Sequence, residues 1–153
     1  MNGQPGVFAA VFAALYAAHM VGDHWVQSGW QAANKHRRDW TGRWACAGHV
    51  ASLALTKLAF VIVAASVCDL RLNQWRLVAG IAVDAVSHYW ADRRFTLAGL
   101  CARLGKAQFY ALGAPRPGRD DNPSLGTGAY ALDQSWHIGW LFVTALIVAA
   151  GAA

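Results

Sequence analysis

The charges of this chain are missing from long stretches, and that absence constrains the fold more than anything else. Residues 7–26 (VFAAVFAALYAAHMVGDHWV) carry no Lys or Arg. Comparable apolar runs extend from Trp44 to Cys68, from about Leu77 to Trp90, and from Ala129 onward. A helix needs about 20 apolar residues to cross a hydrocarbon layer. Inside that layer a helix satisfies its own backbone polar groups, which an isolated strand does not. The runs therefore predict an all-α fold, a polytopic membrane four-helix bundle. Its spans fall at about 7–26, 44–68, 72–92 and 129–151. The third run is short and reaches spanning length by borrowing flanking residues such as Leu70, Leu72 and Phe95, or by lying buried among the others.

Composition agrees. Of 153 residues, 56% are hydrophobic and only 14% charged, there are eight tryptophans, and Glu is absent. That length suits a single integral membrane domain. The net charge of +5 resides in short loops between apolar runs. This is the pattern of topology signals, so no nucleic-acid partner is expected; the expected partners are a lipid bilayer and further copies of the chain as a homo-oligomer. No Lys or Arg precedes Lys35, so the first run lacks the positive flank of a signal peptide and reads as a retained span. Cys46, Cys68 and Cys101 are scattered without metal spacing and read as small apolar residues.

The loops orient the chain. Residues 34–43 carry Lys35, Arg37, Arg38 and Arg43, and residues 91–128 carry Arg93, Arg94, Arg103, Lys106, Arg116 and Arg119. The excess of positive charge in cytoplasmic loops puts both segments inside an inner (cytoplasmic) membrane and both termini outside. Residues 95–112 have an amphipathic cast, with Leu97, Leu100, Leu104 and Phe109 able to share a face, and predict a short interfacial helix. Residues 113–128 read as a turn-rich loop. Trp25, Trp30, Trp40, Trp44, Trp90 and Trp136 gather near one boundary, as an aromatic belt does.

Within these runs, polar residues recur four apart: His19 with Asp23, then Asp84, His88 and Asp92, then Asp133 with His137. Positions i and i+4 share a helix face. A charge turned toward lipid near mid-bilayer costs about 3 kcal/mol, so these stripes are expected to face one another. His49 lies one turn into the second run. The topology brings all of them to similar depth at the cytoplasmic end. Imidazole and carboxylate without thiolate suit zinc first and manganese or iron next. The expected metal ligands are His19, Asp23, His49, Asp84, His88, Asp133 and His137. Asp92 and Asp23 are the expected catalytic carboxylates, Asp92 as ligand or base. The candidates outnumber the ligands of one tetrahedral ion, so either two ions share the site or some Asp residues fix His tautomers from behind. Gln27, Asn34, Lys35 and Gln134 are expected at the mouth or in support. His24 and His36 read as interfacial. Lys57 lies mid-span, at the wrong depth for the cluster, and reads as snorkelling or inter-subunit.

The segments HMVGDHWVQ (19–27), NK (34–35), His49, DAVSHYWAD (84–92) and DQSWH (133–137) resemble those of a family of small bacterial and phage membrane proteins of unassigned function. That likeness covers most of the chain and implies the same membrane bundle and site. A looser similarity is to bacterial inner-membrane proteins described as metal-dependent hydrolases. Two functions stay open at this point. One is an intramembrane hydrolase using one or two divalent ions on a lipid headgroup or small phosphate or ester. The other is a non-enzymatic membrane protein, a proton or cation pathway or a phage-type membrane effector, whose Asp–His network is structural.

Overall fold

A computed structural model describes residues 4–114 and 127–150, and every described regular element is helical. The elements are α1 (Gln4–Val21), a π-helical turn (Gly22–Val26), α2 (Gly29–Asn34), α3 (Trp40–Val67), α4 (Gln74–Asp92), α5 (Phe95–Arg103), α6 (Ala107–Tyr110) and α7 (Gly128–Ala149). Side-chain caps set several starts. Ser28 and Gln31 form a reciprocal capping box on α2, the Asp39 carboxylate accepts from Gly42 N at α3, Asn73 accepts from Trp75 N and Arg76 N at α4, and Thr127 accepts from Tyr130 N at α7. Each cap satisfies backbone N–H groups that have no partner within their own helix.

The four long helices close a ring. α1 packs on α3 and α7, and α4 packs on α3 and α7. One half of the interior is apolar, built from Val7, Val11, Leu15, Val61, Leu141, Ala145, Val148 and Ala149. Thr144, fully buried there, donates to Gly80 O on α4. The other half is polar and is described below.

Among the described residues, two helices are long and apolar enough to cross a membrane: Gln4–Val26, with mean hydropathy 1.5, and Trp40–Val67, with 2.1. The sequence pattern predicted four. α4 (QWRLVAGIAVDAVSHYWAD) and α7 (GAYALDQSWHIGWLFVTALIVA) are interrupted by the polar residues that face the interior.

Three local departures matter for the site. The first run is not one uniform helix, because its last turn widens into the π turn that carries Asp23. Single π turns of this kind are frequent at functional sites. A Cβ at Gly22 would lie 2.2 Å from Leu53 Cδ1, so a glycine lets this turn settle against α3. The amphipathic segment 95–112 is two short helices, parted at Gly105, whose φ of 71° is the left-handed conformation that ends helices. Leu97 and Cys101 are its buried residues, while Leu104 and Phe109 are exposed, so the four apolar residues expected on one face are divided. A Cβ at Gly128 would lie 1.7 Å from Phe109 O, so only glycine lets α7 begin against α6. The turn-rich loop expected at 113–128 falls largely outside the described residues.

Candidate metal centre

Five helical segments each bring polar side chains to one point. His19 comes from the last turn of α1, Asp23 from the π turn, His49 from the third turn of α3, Asp92 and His88 from the end of α4, and His137 from α7. All four of these histidines are at most 1% exposed, and Asp92 is 2% exposed. The expected convergence of the four imidazoles holds. Ring centroids of His88 and His137 lie 3.8 Å apart, those of His49 and His88 5.2 Å, and those of His19 and His137 5.2 Å.

The contacts that define the centre are between single atoms. His49 Nε2 lies 3.1 Å from Asp23 Oδ1, 3.2 Å from Asp92 Oδ2 and 3.2 Å from His88 Nε2. His88 Nε2 lies 3.6 Å from the same Asp23 oxygen and 3.3 Å from the same Asp92 oxygen. Two ligands each about 2.1 Å from an ion stand about 3.0 Å apart at right angles and about 3.4 Å apart in a tetrahedron. Four of the five separations fall in that range, and the fifth, 3.6 Å between His88 Nε2 and Asp23 Oδ1, lies just beyond it. Asp23, His49 and His88 form one group able to hold a metal ion, and His88, Asp92 and His137 form another.

Buried polar atoms without partners point the same way. His137 Nε2 has no hydrogen bond, and neither does Asp23 Oδ1 despite its short approach to His49. Buried polar atoms are normally paired, so each of these two, lying within the cluster, suits a nearby cation. Nδ1 of His19, His49 and His88 is buried without a hydrogen bond among the described residues. The carboxylates therefore lie on the Nε2 side, at the shared centre. Asp23 and Asp92 do not back the imidazoles from behind, as a tautomer-fixing role requires. His19 Nε2 lies 3.7 Å from Asp23 Oδ2 and 3.3 Å from Gln134 Oε1, while His137 Nε2 lies 3.5 Å from Asp133 Oδ1 and 3.8 Å from Asp92 Oδ1.

Three sequence expectations change. Asp84, expected among the ligands, instead accepts from Lys57 Nζ at 2.6 Å. Lys57 neither snorkels nor waits for another subunit, because its side chain is fully buried against that carboxylate. Asp84 is one helical turn from His88 on α4, deeper in the bundle, and the long lysine stem reaches it from α3. Asn34, expected at the mouth, turns its Nδ2 back to Trp30 O within α2.

A cavity of about 450 Å³ opens onto the centre. Asp23, Asp92, Asp133 and Gln134 form its floor, and Gln27, Lys35, His24, Arg94, Tyr110, Thr127 and Tyr130 contribute to its wall. Lys35 is buried with its ammonium 2.9 Å from Asp92 Oδ2. Arg94 holds a left-handed φ of 56°, unusual for a residue with a side chain. Strain of this kind persists where the surroundings enforce it. Burial pushes the Tyr110 phenol above its ordinary pKa, and the Asp133 carboxylate adds to the shift. The residues that sequence reasoning missed here are Arg94, Tyr110, Thr127 and Tyr130. Arg94 read only as a topology signal, and nothing in the spacing marked the other three. Among the tryptophans, Trp25, Trp30, Trp40 and Trp44 are exposed, whereas Trp90 and Trp136 contact each other and Trp136 Nε1 donates to Ser87. Cys46 is buried and its thiol approaches Tyr89 O, and Cys101 is buried on α5; no cysteine belongs to either candidate metal group.

Fold and site together define an all-helical bundle with a buried His/Asp centre able to hold a metal. The chain belongs to the family described as protein of unknown function (DUF3307), whose model matches residues 11–152. No curated protein and no solved structure matches the chain.

Proposed function

We propose that this is an integral membrane metalloenzyme. In this reading α1, α3, α4 and α7 all cross the bilayer, and a divalent ion sits among Asp23, His49, His88 and Asp92. The reaction is hydrolysis of a phosphate or ester group, on a lipid headgroup or a small molecule. One observation carries the reading: four side-chain atoms from three segments, the π turn, α3 and α4, converge with five separations of 3.1–3.6 Å. Zinc is the first candidate, and manganese or iron the next.

The surface supports the bilayer. Leu55, Ile62, Val63 and Val67 on α3, Val78 and Val86 on α4, and Phe142 and Leu146 on α7 are exposed. Along the inner stripes of α4 and α7, Asp84, Ser87, His88, Asp92, His137 and Thr144 are buried, while Gln74, Arg76 and Ser135 are exposed. An apolar exterior around a polar interior is what lipid as solvent selects. The basic residues Lys35, Arg93 and Arg94 stand at the cavity end, which supports a cytoplasmic opening with both termini outside.

A divalent ion in this setting polarises a phosphoryl or carbonyl oxygen and lowers the pKa of water toward neutrality. The chain supplies the rest. Lys35 and Arg94 attract and orient an anionic group in the cavity. Asp133 is the most exposed carboxylate of the cluster, at 27%, and is placed to take a proton from water. The buried aromatic and apolar surroundings strengthen these interactions. The pathway reading has less support. Beyond the cluster the interior closes with Val11, Leu15, Val61 and Leu141, and Lys57 and Asp84 are tied to each other.

The test is elemental analysis of the full chain in detergent, paired with hydrolysis assays. A soluble aryl phosphate or ester serves as one substrate and phospholipid vesicles as the other, which separates the two sources. We expect bound metal that His88→Ala removes, and turnover that chelation abolishes and metal restores. Wild-type protein without metal above background, even after exposure to zinc, manganese and iron, defeats the proposal.

A further inference from the structure

We infer that the cluster is a two-ion centre in which Asp23 and Asp92 each bridge, and that His19 and His137 hold the second ion. This rests on the metal-binding reading above and goes beyond it.

The division of the carboxylate oxygens is the main observation. Asp23 turns Oδ1 toward His49 and His88, at 3.1 and 3.6 Å, and Oδ2 toward His19 Nε2, at 3.7 Å. Asp92 does the mirror of this. Its Oδ2 faces His49 and His88, at 3.2 and 3.3 Å, and its Oδ1 faces His137 Nε2, at 3.8 Å. Each carboxylate thus offers one oxygen to each of two neighbouring centres, which is the arrangement of a bridging ligand.

The second centre has its own donors. His19 and His137 rings are neighbours at 5.2 Å between centroids. His137 Nε2, on a residue 1% exposed, has no hydrogen-bond partner and is aimed at this point. The separations of 3.7 and 3.8 Å are wider than those of the first centre. They still lie between the values of about 3.0 Å for adjacent and about 4.2 Å for opposed ligands on bonds of about 2.1 Å. Asp133 Oδ1, 3.5 Å from His137 Nε2, stands on the open side toward the cavity. Asp23, Asp92, Asp133 and Gln134 all line the cavity, so a further ligand can approach the cluster from that side.

Charge gives an independent argument. Asp23, Asp92 and Asp133 contribute three negative charges, and Lys35 contributes one positive. With neutral imidazoles, an excess of two negative charges remains inside the bundle. One divalent ion cancels it. A second makes the centre positive, which suits an anionic group arriving from the cavity that Lys35 and Arg94 line. Ions sharing a site in this way stand about 3.5–4 Å apart and act jointly on the attacking and leaving oxygens.

The experiment is titration of Mn(II) into metal-stripped full chain in detergent, with bound equivalents counted and electron paramagnetic resonance recorded. Wild type is expected to take up two equivalents, the second converting an isolated six-line signal into that of a coupled pair. His19→Gln and His137→Gln are each expected to bind one equivalent with an uncoupled signal. Thermal melting of both variants checks that they remain folded, and either variant alone suffices if the other does not fold. A wild type that saturates at one equivalent overturns the two-ion centre and leaves the single site intact. Two equivalents without coupling also overturn it, because the second ion is then elsewhere. No binding at all overturns the single-ion reading and this one together.

Discussion

Two groups of charge lie inside this bundle, one helical turn apart on α4, and they are built differently. Around Asp84, a single carboxylate meets a single ammonium at 2.6 Å, and both are buried. Around His88 and Asp92, carboxylates outnumber the one ammonium, and imidazole nitrogens point at one another and at shared oxygens over 3.1–3.8 Å. The first group is balanced and closed. The second has an excess of negative charge and buried atoms without hydrogen bonds. A fold can tolerate the first as it stands, since a buried pair is satisfied within itself. The second is arranged so that it could coordinate a metal ion. Burial and polarity alone do not distinguish the two; the count and direction of donors do.

The largest expected effect breaks the closed pair. Asp84→Ala leaves the Lys57 ammonium buried without a partner, which costs about 3–5 kcal/mol. Unfolding in detergent measures this. Replacing both, Asp84→Leu with Lys57→Met, restores most of the stability and leaves metal content unchanged. Loss of metal in that double variant would return Asp84 to the ligand set and erase the contrast. Next comes His88→Ala, which removes a donor placed among both carboxylates. Metal affinity and turnover are each expected to fall on the order of a hundredfold or more, since even the loss of a supporting partner costs 10–100-fold. Stability of the metal-free protein changes far less, which separates the open group from the closed one.

A smaller effect sharpens the role of the lone cation in the open group. Lys35→Met is expected to raise KM for an anionic substrate about tenfold, equivalent to about 1.4 kcal/mol, while bound metal is retained. Steady-state kinetics on charged and neutral esters read this, with the neutral ester unaffected. Smallest of all is Asn34→Ala. The Asn34 side chain bonds within its own helix and lies off the cavity. Stability is expected to move by no more than about 0.5 kcal/mol, and KM and metal content to stay at wild-type values.

Much of this arrangement was legible in the residues. The i, i+4 stripes and the cost of turning them to lipid implied that His19, Asp23, His49, His88 and His137 face one another, and they do. What was not legible has physical causes. The Lys57–Asp84 pair depends on a lysine stem reaching across a turn of depth, which spacing along either helix does not reveal. The π turn shifts Asp23 relative to a regular helix, and sequence periodicity assumes regularity. Gly105 divides the amphipathic stretch, although the apolar pattern runs through it. The apolar runs predicted four spans, whereas two of the described helices are long and apolar enough to cross a membrane, because polar residues interrupt α4 and α7. How the two oxygens of one carboxylate are divided is visible only in three dimensions.

The most direct test of the central claim, that the open group coordinates a metal, is X-ray absorption at the metal edge of zinc-loaded protein in detergent. The account predicts a nitrogen and oxygen shell at about 2.0–2.1 Å with the outer-shell signature of imidazole, diminished in His49→Ala. A shell containing sulfur at about 2.3 Å, or one of water oxygen without imidazole, would contradict it.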